Sequence, residues 1–99
     1  MSGAYDRFID GFIYGSMVMQ LSQAVERRVL DEVILPSDTD WRLLIGKLCP
    51  DSANMIGYQL AVAVACAKQR DKIDITVTAF RMLDACAGGA SIESHFARN

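Results

Sequence analysis

Apolar residues between positions 5 and 34 follow two stripes with helical spacing, and the stripes lie on nearly opposite faces. The first stripe contains Tyr5, Phe8, Ile9, Phe12, Ile13 and Met19. The second contains Tyr14, Val18, Leu21, Val25 and Val29. A helix that lies on one core needs a single apolar stripe. The pattern therefore predicts either one long helix over 4–33 that is covered on both sides, or a break near Gly15 and Ser16.

The continuous helix would need a partner surface, because a chain of 99 residues forms one modest core and can hardly surround such a helix alone. The second stripe, Tyr14, Val18, Leu21, Val25 and Val29, is then the predicted partner-binding site. Its occupant would be another protein or a second copy of this chain. This pattern predicts a non-enzymatic protein-interaction module, of the kind found in small adaptors, assembly chaperones, inhibitors and complex subunits.

Three further helices are predicted by spacing, caps and prolines. Cap-forming residues at 37–40 precede apolar positions with helical spacing, which predicts a helix over 39–48. Pro50 separates this helix from the next, predicted over 52–70. The stretch from Met55 to Ala67 is apolar on almost every side, which predicts a buried central helix.

The segment 73–87 fits two patterns. Ile73, Ile75 and Val77 alternate with polar residues as in a strand, yet a helical spacing also continues to Ala87 before a glycine pair. No second strand candidate exists to pair with it, so the helix is preferred. The predicted fold is an all-α, single-domain bundle of about four helices, with a long N-terminal helix over 4–33 that is continuous or kinked near 15–17, and with a loose tail at 90–99. The predicted core contains Trp41, Leu44, Ile45, Leu48, Ile56, Leu60, Val64, Val77, Phe80 and Leu83.

Composition and charge narrow the class of protein. Hydrophobic residues make up 52% of the chain and charged residues 22%, which is typical of a globular domain. The net charge is −2 with acids and bases interleaved, so no strong field favours nucleic acid or an anionic membrane. The first residues lack the basic and apolar runs of a secretory signal, and no segment has the length and apolarity of a membrane span. These features predict a cytoplasmic protein.

Candidate chemistry is sparse. Cys49, Cys66 and Cys86 lack the close pairing of zinc ligands, and His95 is the single histidine. A nucleophile would need a nearby base held by a third group, and the only imidazole lies near the end of the chain. The sequence therefore predicts no enzymatic activity, no metal and no cofactor, with the three thiols packed as small hydrophobic groups.

The spacing of Gly11 and Gly15 allows another helix backbone to approach closely. The neighbour could be a helix of the same chain, which is the preferred interpretation, or a helix of a second copy. Glycine also weakens a helix interior, so the same pair is a candidate for a chain break.

The segment from Ile45 to Ile56 resembles a helix-turn-helix. Gly46 takes the position of a small residue in the first helix, and Ile56 takes a core position in the second. The segment departs from the pattern at Pro50 and at Gln59. This resemblance implies an alternative function, a dimeric DNA-binding regulator whose N-terminal helix forms the dimer contact. The residues at 53–58 carry no charge for phosphate contacts, which favours the protein-interaction module.

Overall fold

A computed structural model describes residues 3–36, 40–71, 78–79 and 81–83, without the side chains at 40, 41, 44 and 68–71. Helix α1 spans Ala4–Val18 and α2 spans Gln23–Val29. A π-helical turn over Leu30–Ile34 extends α2. Helix α3 spans Asp40–Gly46, and α4 spans Pro50–Asp71. The described residues form helices and turns without a strand, so the predicted all-α class is confirmed.

The N-terminal region is two helices, so the prediction of one long helix over 4–33 is wrong. The C-cap of helix α1 is Met19, and it is followed by Gln20 in a left-handed backbone conformation with a φ of 57°. The Leu21 N–H donates to the Ser16 carbonyl at 2.9 Å, and the Gln20 N–H donates to the Met17 carbonyl at 3.1 Å. These two bonds satisfy carbonyls that the end of the helix would leave unpaired. The break therefore lies five residues beyond Gly15, and it turns α2 in a new direction.

Helix α2 starts from a side-chain cap. The Ser22 hydroxyl accepts a hydrogen bond from the Val25 N–H at 3.2 Å. The helix widens at its end, where the Leu35 N–H donates to the Leu30 carbonyl at 2.8 Å, a bond between residues five apart. The Tyr5 hydroxyl donates to the Ile34 carbonyl and so ties this turn to the start of α1.

Gly11 and Gly15 do not break α1; they allow another helix to pack closely against it. A Cβ atom added to Gly11 would lie 2.0 Å from the Asn54 carbonyl oxygen, and one added to Gly15 would lie 2.8 Å from the Ala61 Cβ. On the opposing helix, a Cβ added to Gly57 would lie 2.0 Å from the Phe8 carbonyl oxygen. The two backbones are therefore in direct contact. The preferred interpretation of the glycine spacing, an intramolecular neighbour, is confirmed.

Helices α1 and α4 run parallel. Their contacts advance together, from the Arg7–Asp51 ion pair at one end to the Gly15–Ala61 approach further along. Between these points the Asn54 side-chain amide donates to the Arg7 carbonyl at 3.0 Å. Helix α4 is central, as predicted, because its other side carries Leu60 and Val64 into the core.

Every described helix contributes to the core, including the π-helical turn at 30–34 and the helical residues at 78–79 and 81–83. Its largest fully buried side chains are Phe8, Phe12, Ile34, Ile45, Leu60, Met82, Leu83, Val29, Val33 and Val64. Four predicted core residues are among the buried ones: Ile45, Leu60, Val64 and Leu83. Leu48 and Ile56 are half-buried against this core. The side chains of Trp41 and Leu44, and residues Val77 and Phe80, lie outside the described part of the chain.

The last predicted helix is described only in part. Residues 78–79 and 81–83 are helical, and Ala79, Met82 and Leu83 are buried. This agrees with a helix over 73–87 at those positions. The rest of that segment and the predicted tail at 90–99, including Cys86 and His95, lie outside the described residues.

Candidate protein-binding surface

Helix α1 leaves a large apolar surface on the side away from the core. Its buried residues lie along one side and include Phe8 and Phe12. On the other side lie the four exposed large apolar residues of this helix. Their exposed fractions are 42% for Ile13, 57% for Tyr14, 67% for Met17 and 47% for Val18. Helical geometry places these four positions within an arc of about 140° over its last turn and a half.

Helix α4 extends this surface sideways. Met55 is 61% exposed, and Tyr58 is half-buried one turn further along the same face. The Tyr58 ring packs on the Tyr14 ring with centroids 5.9 Å apart and planes tilted by 34°. This pair joins the two helices at the surface. We call the combined surface the apolar face, and it consists of Ile13, Tyr14, Met17, Val18, Met55 and Tyr58.

The N-terminal end of the apolar face is polar and acidic. Asp6 and Asp10 lie exposed on α1, and Asp51 lies exposed on α4. Arg7 pairs with Asp51 at 3.6 Å, but the Asp51 side chain is 94% exposed. An ion pair so open to water contributes little to stability, because solvent screens it. Since both helices run in the same direction, both change from acidic to apolar along the surface.

The five predicted binding residues do not form one surface. Tyr14 and Val18 lie together on the apolar face. Leu21, in the turn after α1, and Val25, in α2, are half-buried against the core, and Val29 is fully buried. The reason is the turn at Gln20, which redirects the second half of the stripe inward. A binding role for any of these residues stays a prediction.

Sequence reasoning missed four members of the apolar face. The sequence pattern places Ile13 in the first stripe and Met17 in neither stripe. Met55 and Tyr58 belong to a stretch expected to be buried on all sides. No periodic signal marks them, because almost every position in 55–67 is apolar and the sequence offers no contrast between an inner and an outer face.

The cysteines differ from the prediction of packed thiols. Cys49 and Cys66 are free and exposed. Cys49 lies immediately before Pro50, the first residue of α4, and its carbonyl accepts the Ala53 N–H at 3.0 Å. Its sulfur lies 3.0 Å from the Ser52 hydroxyl oxygen. Hydrogen bonds from the Ser52 side chain and then from its backbone lower the pKa of the Cys49 thiol, because they stabilise the thiolate.

Among the described residues, no group of three or more His, Cys, Asp or Glu side chains is placed to hold a metal ion. A surface depression beside α2 is lined by Gln23, Ala24, Glu26 and Arg27. All four of these described lining residues belong to α2.

The DNA-binding alternative gains no support from charge. Helices α3 and α4 are joined by a short turn at 47–49, as the helix-turn-helix resemblance implies. The exposed positions at the start of α4, however, are Pro50, Asp51, Ser52 and Met55. A recognition helix needs donors and cations for bases and phosphates. Gly57 and Ala61 also lie against α1, which covers that side of the helix. This alternative stays a prediction.

Within the part of the chain that the structure describes, no helix combines the length and the apolarity needed to cross a membrane. Comparisons with protein-family models, with curated proteins and with solved structures found no match.

Proposed function

We propose that this chain is a non-enzymatic protein-interaction module that binds its partner through the outward face of its N-terminal helix. One observation supports the proposal above the others: the four exposed apolar side chains of α1 are adjacent and between 42% and 67% exposed, and the Tyr14–Tyr58 ring contact joins them to α4, where Met55 is exposed. Scattered single apolar residues are normal on a protein surface, whereas a contiguous patch marks an interaction site.

The composition of the face also supports binding. Tyrosine and methionine are enriched in the centres of protein interfaces, where they provide large contact areas. Met17 and Met55 have flexible, polarisable side chains that can adapt to a partner, while the paired rings of Tyr14 and Tyr58 form a more rigid element between them. Tyrosine is also among the residues that dominate measured binding energies.

The test is to measure the molar mass of the protein in an extract of its own cells, for the wild type and for a variant with a charge substituted on the apolar face. Met17→Asp should lower the mass to that of the free chain, because a carboxylate loses its hydration in an apolar contact without gaining a counter-charge. Leu43→Asp is the matched control, since Leu43 on α3 is 69% exposed, close to the 67% of Met17. Equal masses for wild type and Met17→Asp would contradict the proposal.

A further inference from the structure

The apolar face has the size and the charge pattern of one half of a symmetric interface. We propose that its occupant is a second copy of this chain, docked about a two-fold axis so that α1 and α4 of one copy run antiparallel to those of the other. This inference rests on the proposed function, and it specifies the partner.

The exposed apolar area of the face approaches the area that each partner buries in a stable dimer. The five most exposed side chains of the face are Ile13, Tyr14, Met17, Val18 and Met55. Their exposed fractions correspond to roughly 500 Å², in the upper part of the range for the largest apolar patch on a monomer. Standard interfaces bury about 800 Å² from each partner, and the interface includes a polar rim as well. The half-buried Tyr58 and the polar residues around the face supply this remainder.

The charge distribution selects the direction of docking. The exposed carboxylates, Asp6, Asp10 and Asp51, all lie at the N-terminal end of the face. A two-fold axis parallel to the helices would set each carboxylate opposite its own copy, and like charges in contact oppose association. An axis perpendicular to the helices sets each acidic end beyond the apolar end of the other copy, where Gln20 and Ser22 are exposed and uncharged. The antiparallel arrangement is therefore favoured.

The position of the ring pair fits this axis. The middle of the α1 positions, 13–18, lies about 2 Å along the helix from Tyr14, given a rise of about 1.5 Å per residue, and Tyr58 packs on Tyr14. An axis there would bring four tyrosine rings together, two from each copy, at the centre of the interface. Aromatic residues at the centre of an interface carry a large share of binding energy. Asp10 lies about 8 Å along the helix from the middle of the α1 positions, given a rise of about 1.5 Å per residue.

The net charge of the chain does not oppose self-association. It is −2 at pH 7, so two copies repel only weakly at physiological ionic strength. In an isologous interface every substitution acts twice, once in each copy. A single charge on the face should therefore have a large effect on the dimer, although its effect on the fold of each chain should be small.

Sedimentation equilibrium of the purified full chain is the first test. We expect twice the 10.9 kDa chain mass at micromolar concentration. Met17→Asp should raise the dimer dissociation constant roughly 1000-fold, because a central contact is lost in both copies. Leu43→Asp should leave the dimer intact, and circular dichroism should show unchanged helix content in both variants. A wild-type monomer, or equal effects of the two substitutions, would overturn the inference.

Disulfide cross-linking is the second test, and it does not depend on a disruptive substitution. In a background with Cys49, Cys66 and Cys86 replaced by serine and with wild-type mass, Met17→Cys should form a symmetric disulfide, because position 17 lies near the axis. Asp10→Cys should not, because its two copies would lie about 16 Å apart along the helices, beyond the reach of a disulfide. Efficient cross-linking at position 10 would indicate the parallel arrangement and overturn the proposed geometry.

The failure of this inference can be told apart from failure of the proposed function. A purified wild-type monomer, together with a high molar mass in native extract that Met17→Asp abolishes, would reject the second copy and retain a different protein partner. A monomer in both settings would reject both proposals.

Discussion

The close approach of α1 and α4 makes Gly57→Ala the most informative substitution for the fold. The added Cβ atom would lie 2.0 Å from the Phe8 carbonyl oxygen and 2.8 Å from the Phe12 nitrogen. Both are backbone atoms of a helix, so no side-chain rotation can relieve the contact. A normal carbon–oxygen contact of about 3.3 Å requires the two helices to separate by more than 1 Å at this point, which disturbs a close-packed interior.

Two opposing effects set the magnitude. Alanine is favoured over glycine in a helix interior by about 1 kcal/mol. Overpacking of a core costs about 1–3 kcal/mol, and here the upper end applies because the backbone must move. We therefore expect Gly57→Ala to lower the free energy of unfolding by about 2 kcal/mol. In a domain of this size that corresponds to a fall in melting temperature of about 8–16 °C.

Gly46→Ala is the matched control, because a Cβ added to Gly46 at the end of α3 meets nothing within 4 Å. It should leave the unfolding free energy unchanged or raise it by up to about 1 kcal/mol, since only the propensity term acts. Urea titration followed by circular dichroism measures both variants. If Gly57→Ala were as stable as wild type, the backbone contact between α1 and α4 would be refuted. A Gly11→Ala, Gly57→Ala double variant should lose less stability than the two single losses added, because the first separation makes room for the second.

Three further predictions concern the C-cap, the core and the thiol. Gln20→Gly should raise the melting temperature, because the left-handed backbone at φ 57° costs a non-glycine residue about 1–2 kcal/mol; an unchanged or lower value would speak against this cap. Leu60→Asp should abolish the helical circular dichroism, since Leu60 is fully buried in the central helix, whereas Val18→Asp should keep it. Cys49 should react with iodoacetamide at lower pH in the folded chain than in urea, and Ser52→Ala should move its pH profile upward; coincident profiles would contradict the role of Ser52.

The lowered pKa of Cys49 determines how its contribution to stability depends on pH. The folded pKa is lowered, so the thiolate is favoured in the folded chain. Any contribution to stability is therefore present above the pKa of the unfolded thiol, and it is lost as the pH falls through the folded pKa. The side chain is exposed, so this dependence should be weak compared with the change in alkylation rate.

Local patterns in the sequence were sufficient to predict the all-α class and the position of the central helix. Pro50 and the alanine-rich run after Met55 determine where α4 lies, because proline is favoured at the first helical position and an all-apolar helix must be buried. The spacing of Gly11 and Gly15 likewise predicts a close neighbour, since it leaves a gap on one side of the helix.

The end of α1 could not be derived from the sequence in the same way. Glycine is the usual residue at a left-handed position just after a helix C-cap, yet here Gln20 takes that position, while the glycines within α1 lie at 11 and 15. The contact with α4 determines where α1 ends, because both glycines are needed within the helix to pack against α4. Helix propensity acts between neighbours along the chain, and it carries no information about a helix that lies more than 40 residues away.

The composition and the periodicity of this chain determined that it forms helices, that one helix is buried at the centre, and that the N-terminal region holds more apolar surface than one core requires. Only the tertiary structure decided which part of that surface stays in water. The turn at Gln20 carries Val29 into the core, and the parallel docking of α4 sets Tyr58 beside Tyr14 at the surface. The direction of a helix after a turn depends on contacts distant in sequence, and a stripe of apolar residues is the same whether it meets the core, a partner or solvent.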